Sequence, residues 1–286
     1  MFEVGFTYRA DYIPSILAHR DEIDFLEIIP DEIRLGDADQ KALDIRRISE
    51  HIPFTAHSID LSIASQEDAQ FHNRFDEIYR FLVDLKITHY SDHLAYTRAS
   101  SHNCDAYVPP LFGADDPKIV ADKVVHITEK LNKISCGFSL ENVANTVFAD
   151  PNNPGREGEY MSELCDVCDT NLILNIDSLL ISSEALKIAP LDLLATYPVD
   201  RIDAVTIVPP DAMNIVMNEQ FGVLVEQKAL PLFEKALDLI SPKRVVVQVR
   251  YPHNTLDTQL PYIRRLREIS NNTHKKKSSP MKENVA

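Results

Sequence analysis

Glycine is scarce in this sequence. The 286-residue chain contains seven glycines, and its first apolar run continues into GFTYRA, which has one glycine and no GxGxxG pattern. Because phosphate-binding loops and dinucleotide-binding turns need several glycines for close approach of the backbone to the ligand, the sequence does not support either of them. A Ser-His-Asp hydrolase is also not expected, because no glycine-flanked nucleophile elbow is present.

Cysteine and long apolar runs are few as well. Four irregularly spaced cysteines do not make a disulfide framework, and Cys165 and Cys168 form a single CDVC motif. A lone motif of this kind can be a redox pair or half a zinc site, but on a helix it is more often two buried cysteines. No apolar run approaches the roughly 20 residues of a membrane helix, and the start MFEVGFTYRAD does not resemble a signal peptide. We therefore expect a cytoplasmic protein.

Positive charge is in deficit. The chain has 29 Lys and Arg against 44 Asp and Glu, which gives a net charge of −15. Residues 271–286 hold four lysines and one glutamate, so they carry +3 and leave −18 for residues 1–270. A negative field opposes binding to nucleic acid phosphates and to anionic membranes, so neither partner is expected.

Eight apolar runs alternate with eight segments of helical spacing. The runs are FEVGFTY, IDFLEIIP, IPFTAHSI, KITHYSDH, CGFSLENV, NLILNID, DAVTIVPP and RVVVQVR. Such alternation predicts parallel strands joined by crossover helices, and eight units favour a closed barrel over an open sheet. We predict an α/β protein with a single (β/α)8 TIM-like barrel over residues 1–270. Residues 271–286 are predicted to be a disordered basic tail.

Four consecutive runs end in side chains that bind metals. His57 follows FTA, His93 follows HYSD, Glu141 follows GFSL and Asp177 follows LILNI. In a barrel of this type the carboxyl ends of the strands form the catalytic mouth, and imidazoles with carboxylates there suit Fe, Mn or Zn. Asp92 faces away from His93 and is expected to support it. The long connection over residues 98–116 is expected to be a lid.

Several of these segments resemble a known family. FLEIIPDEI, AHSIDLSIAS, SDHLAYT, SLENV and NIDS are similar to stretches of the multinuclear non-haem iron-dependent oxidative enzymes, which include the methanobactin maturation oxidase. The resemblance implies a xylose isomerase-like TIM barrel with one to three iron ions and O₂ as co-substrate. It also implies a ribosomally made peptide as substrate, presented by a partner protein.

The resemblance also implies roles for individual residues. By position, the metal ligands would be His57, His93, Glu141 and Asp177. The predicted catalytic residues are Tyr8 and Arg250, which would help to place the substrate.

The second half of the sequence departs from the family pattern. Thr206, Phe221 and Gln248 stand near positions where the family has metal-binding side chains, which Phe cannot replace and Thr and Gln replace poorly. Two alternatives therefore stay open. One is a metal-dependent isomerase or hydrolase among the xylose isomerase-like barrels, and the other is a non-catalytic barrel that acts as a binding or partner protein.

Overall fold

Eight parallel strands close into a barrel in a computed structural model of the chain. The structure describes residues 1–33, 40–65, 70–99, 102–112, 117–146, 150, 152–153, 155–209, 219–248 and 256–278. The strands are β1 (Glu3–Thr7), β2 (Phe25–Ile28), β3 (Phe54–Ser58), β4 (His89–His93), β5 (Tyr96–Ala99), β6 (His102–Val108), β7 (Gly137–Glu141), β8 (Asn171–Asn175), β9 (Ile202–Ile207) and β10 (Arg244–Val247). Around the barrel the order is β1, β10, β9, β8, β7, β4, β3, β2. The predicted fold class is confirmed, and each of the eight apolar runs supplies one barrel strand.

Helices cover the outside of the barrel between the strands. They are α1 (Ile13–Ala18), α2 (Gln40–Ser49), α3 (Phe71–Asp84), α4 (Pro117–Asn132), α5 (Arg156–Cys168), α6 (Ile176–Leu186), α7 (Pro190–Leu194), α8 (Glu219–Ala236) and α9 (Leu256–Ser278). None of the helices in the described ranges is both long enough and apolar enough to cross a bilayer.

Helix α9 passes the predicted end of the barrel domain. It continues beyond residue 270 to Ser278, into the segment for which the sequence predicts disorder. An exposed polar segment can extend a helix because each added residue gains one backbone hydrogen bond once the helix is nucleated. The last part of the predicted tail, 279–286, lies outside the described residues.

Strands buried on both faces explain why the runs are continuously apolar. Every residue of β3 and β4 is buried, since one face points into the barrel and the other meets the helices. Helix α3 presents an apolar stripe to this layer, formed by Phe71, Phe75, Ile78, Phe81 and Leu82. Burial of each such side chain is worth roughly 1.5–3 kcal/mol, so this layer holds α3 against the strands.

An antiparallel hairpin interrupts the alternation after β4. Strands β5 and β6 pair with each other in a separate two-stranded sheet. The hairpin lies within the long connection that the sequence predicts to be a lid, and Tyr107 of β6 contacts the barrel mouth.

Helix α5 packs unusually close to the segment before β9. A Cβ atom on Gly158 would lie 2.1 Å from the Thr196 carbonyl oxygen, so a larger residue does not fit there. Beside this contact, buried Glu157 accepts a hydrogen bond of 2.7 Å from the Tyr197 hydroxyl through Oε1. Burial raises the pKa of Glu157 to about 7.

We predict that Glu157 makes the stability of the protein fall as pH rises from about 4.5 to 7. In that range the unfolded carboxyl has lost its proton while the buried one keeps it, so the folded state binds more protons. Glu157→Gln should remove this dependence. From pH 4.5 to above pH 7, the free energy of unfolding of the variant should therefore rise relative to that of wild type by up to about 3 kcal/mol. Urea unfolding at several pH values measures it.

The matched control is Glu159→Gln, an exposed glutamate on the same helix. Parallel pH profiles for wild type and Glu157→Gln would show that the buried carboxyl does not titrate in this range.

Candidate metal centre

Strand register brings three of the predicted ligands together. His93 on β4 lies opposite Glu141 on β7, and His57 on β3 lies opposite Ser91 on β4. One ligand atom each from His57, His93 and Glu141 falls within 4.8 Å of the others. All three side chains are buried, although they come from positions far apart in the sequence.

Glu141 lies between the two imidazoles. Its Oε2 is 3.7 Å from His57 Nδ1, and its Oε1 is 3.8 Å from His93 Nε2. The two rings meet edge to face, with centroids 4.6 Å apart and planes at 80°. Ser91 Oγ lies 2.9 Å from His57 Nδ1, which fixes the orientation of that ring in the way a supporting group fixes a metal ligand.

Two neutral side chains hold the Glu141 carboxylate from the other side. Asn175 at the end of β8 donates from Nδ2 to Glu141 Oε1 at 2.7 Å, and Thr206 on β9 donates to the same oxygen at 3.3 Å. The two donors are register partners across β8 and β9. They orient the carboxylate without adding charge. Thr206 was noted in the sequence as a departure, whereas Asn175 was missed.

Asp177 lies apart from this group. It belongs to the first turn of α6, and its Oδ2 accepts a hydrogen bond of 3.2 Å from the Val208 backbone N–H. The group of ligand atoms within 4.8 Å does not contain it. Strand β8 ends at Asn175, so the strand-end position that the sequence assigned to Asp177 is held by Asn175.

The remaining ligand atoms suit a metal ion. Within the described part of the chain, the buried atoms His57 Nε2 and Glu141 Oε2 have no hydrogen-bond partner. A buried polar atom left without a partner costs about 1–3 kcal/mol, which coordination to an ion would offset. Two imidazoles and one carboxylate are the donor set of non-haem Fe(II) sites with open positions. The residues present therefore fit an iron ion.

A cavity of about 660 Å³ opens next to these ligands. Its walls come from the ends of β1 to β4 and the segments that follow them, from Ile45 of α2 and Gln248, and from Tyr107 of the hairpin. The Tyr107 ring lies against His93, with ring centroids 4.2 Å apart and planes tilted by 31°, and Tyr107 is 46% exposed. The hairpin therefore covers one face of a candidate metal ligand.

Tyr8 lines this cavity, as expected for a residue that places a substrate. Burial raises its pKa to about 12, so the phenol keeps its proton and can donate a hydrogen bond. The second predicted catalytic residue, Arg250, lies outside the described residues, and so does the side chain of Phe221.

Glu27 on β2 is a further acidic group in the cavity. Desolvation raises the pKa of its carboxyl to about 7, and the negative Glu141 adds to this while His57 opposes it. Glu27 can therefore hold or release a proton near neutral pH. It lies one residue before the end of β2, and its chemistry depends on burial that the sequence does not display.

Asp92 supports His93 through the backbone. Its Oδ1 accepts a hydrogen bond of 2.6 Å from the His93 N–H, and the side chain is fully buried. Desolvation raises the pKa of this carboxyl well above its usual value.

Comparison with known families decides where the chain belongs. The sequence model of the family described as RiPP precursor modification enzyme MbnB/TglH/ChrH matches residues 3–270. The chain belongs to this family. The resemblance seen in the sequence is thereby confirmed over nearly the whole chain, and the family is described as one of enzymes that modify ribosomally made precursor peptides.

Curated relatives are similar over part of their length. A UPF0276 protein of Acinetobacter baylyi is 25% identical over 201 residues, which cover 70% of this chain and 67% of that protein. A UPF0276 protein of Shewanella loihica is 29% identical over 164 residues, covering 56% of this chain and 55% of that protein. The matched region thus spans between about half and two thirds of these relatives.

Solved structures share the fold. D-psicose 3-epimerase from Clostridium cellulolyticum H10 superposes with a TM-score of 0.57 at 13% identity, covering 94% of this chain and 92% of that one. A xylose isomerase-like TIM barrel/4-hydroxyphenylpyruvate dioxygenase fusion protein superposes with a TM-score of 0.58 at 13% identity. The match covers 95% of this chain and 44% of that one. At such identity the likeness shows the xylose isomerase-like barrel and nothing about substrates.

We predict that the metal affinity depends on Glu141 and not on Asp177. Glu141→Gln should weaken binding of Fe(II) by more than the roughly 10- to 100-fold that loss of a residue supporting a ligand costs, because the variant loses the only carboxylate of the group. Asp177→Asn is the matched control, since an amide oxygen still accepts the Val208 N–H. Anaerobic titration of the metal-free proteins with Fe(II) measures both affinities. Equal losses in the two variants would make Asp177 a fourth ligand.

Proposed function

We propose that the protein is an iron-dependent oxidative enzyme that modifies a ribosomally made peptide with O₂ as co-substrate. The observation that carries this proposal is the group of His57, His93 and Glu141 at the barrel mouth of a peptide-modifying family. Two imidazoles with one carboxylate leave positions open on Fe(II) for O₂ or substrate. Bound iron would supply the activation of O₂.

The side chains around Glu141 support a single ion. Asn175 and Thr206 occupy the β8 and β9 side of the carboxylate as neutral donors. An amide and a hydroxyl are weak ligands for iron compared with carboxylate and imidazole. A single iron ion, held by the three residues of the group, is therefore the occupancy we propose, with Asp177 outside its ligand set.

The cavity would bind the reacting part of the peptide. Tyr8 supplies a hydrogen-bond donor at its wall, and Glu27 holds a proton that it can exchange with the substrate near neutral pH. Tyr107 covers one face of His93 and excludes water from that side. Arg250 stays a proposed substrate-placing residue, and a partner protein that presents the peptide stays a proposal as well.

A non-catalytic binding role is the second candidate, and one observation favours it. Glu141 Oε1 already accepts two hydrogen bonds, from Asn175 and from Thr206, so half of the carboxylate is satisfied without a metal. A barrel of this kind could bind a peptide in its mouth and do no chemistry. The content of iron separates the two candidates.

We predict that protein purified without oxygen binds one Fe(II) per chain and presents an open position. Nitric oxide, a stand-in for O₂, should then give the EPR signal of a high-spin iron–nitrosyl complex. His93→Ala should lose both the iron and the signal, because one of the three ligands is gone. His89→Ala serves as a control, since His89 lies at the start of the same strand, away from the mouth.

Peptide modification is tested in a second step. The protein is produced together with short peptides encoded beside its gene, with and without air, and peptide masses are compared. An O₂-dependent mass change that disappears in His93→Ala supports the proposed reaction. Iron bound without any nitrosyl signal, or no iron at all, would contradict it and leave the binding role.

A further inference from the structure

We propose that His72 and His126 form a second metal site on the outer surface of the barrel. It would bind a divalent ion that prefers imidazole, such as Zn²⁺, Ni²⁺ or Cu²⁺. His72 lies on α3 and His126 on α4, so the ion would bridge two neighbouring helices.

The distance between the two imidazoles suits a shared ion. His72 Nδ1 lies 3.2 Å from His126 Nε2, and the rings meet edge to face with centroids 4.5 Å apart at 77°. With Zn–N bonds of about 2.0–2.1 Å, tetrahedral coordination sets two nitrogens about 3.3–3.4 Å apart. An ion can therefore replace the hydrogen-bonded proton after a small rotation of the exposed side chains.

Buried phenylalanines hold the rings in place. Phe71 lies edge to face with His72 at 5.3 Å, and Phe75 lies edge to face with His126 at 6.0 Å between centroids. Both phenylalanines are buried in the core between helix and barrel. Two imidazoles that are already oriented lose less conformational entropy when an ion binds.

The charges around the pair are mixed. Asp76 lies one turn after His72 and pairs with Lys130, while Lys123 lies over the Phe71 ring. The negative charges of Asp76 and Glu129 favour a cation and raise the pKa of His126. Burial of His126, together with His72 and Lys130, lowers that pKa. The net effect lowers the pKa of His126, which leaves its imidazole neutral and able to bind a metal at pH 7.

This site should bind a metal ion more weakly than the barrel centre, because it has two protein ligands instead of three. Among the described residues, no third His, Cys, Asp or Glu joins the two imidazoles in a compact group of ligand atoms. Water would fill the other positions. The ion would link α3 to α4. Helix α3 follows β3, which carries His57, and α4 precedes β7, which carries Glu141.

Calorimetric titration with Ni²⁺ tests the proposal on the full chain. Wild type should show a strong event at the barrel centre and a weaker one at the helix pair. His72→Ala and His126→Ala should each weaken the second event by about 100-fold, because each removes one of two linked attachments. The double variant should lose no more than either single variant.

Two controls assign the event to this pair. His19→Ala removes a part-exposed histidine whose neighbour is Glu22 instead of a second imidazole, and should change nothing. His93→Ala should lose the strong event and keep the weaker one. Thermal unfolding without metal verifies that each variant is folded. If His126→Ala does not fold, His126→Gln takes its place. An unchanged second event in the single variants, additive losses in the double variant, or the same loss in His19→Ala would overturn the proposal.

Discussion

The pairing of β4 with β7 is the contact on which the barrel mouth depends. It sets His93 opposite Glu141, while the pairing of β3 with β4 sets His57 beside Ser91. Side chains alternate between the two faces of a strand, so a shift of one residue would turn either histidine away from the mouth. The apolar layer between α3 and these strands, including Phe75 against Tyr90 at 6.1 Å, opposes such a shift.

Glu141 illustrates how a buried carboxyl group can be kept at a candidate metal site. A carboxylate in the core is costly unless it is paired or hydrogen-bonded. Asn175 and Thr206 satisfy Oε1, whereas Oε2 faces the His57 imidazole at 3.7 Å. The carboxyl group is thus hydrogen-bonded at one oxygen, while the other has no hydrogen-bond partner among the described residues. Such partial satisfaction is typical of sites that give up some stability for function.

Much of the fold could be predicted from the sequence because both faces of each strand are buried. Continuous apolar runs then mark the strands, and the side chain at the end of each run marks the mouth, as at His57, His93 and Glu141. The end of β8 could not be placed this way, since Ile176 continues the apolar run into the first turn of α6. Asp177 was therefore expected in place of Asn175. The hairpin was predicted as a long connection, because its polar strands carry no apolar periodicity.

The described walls of the cavity beside the candidate metal centre lie mainly on the β1 to β4 side of the barrel. They belong to the ends of β1 to β4 and the segments that follow them, to α2, to the hairpin and to Gln248, while Glu141 lies fully buried behind the histidines. Asp11 and Glu32 are exposed at the approach, and Arg9 pairs with Asp11 at 3.3 Å. A chain entering over β1 and β2 meets a surface with more carboxyl groups than cations. If the protein modifies a peptide as proposed, such an entrance would favour neutral or basic segments over acidic ones, so electrostatic selection would begin before any residue reaches the histidines.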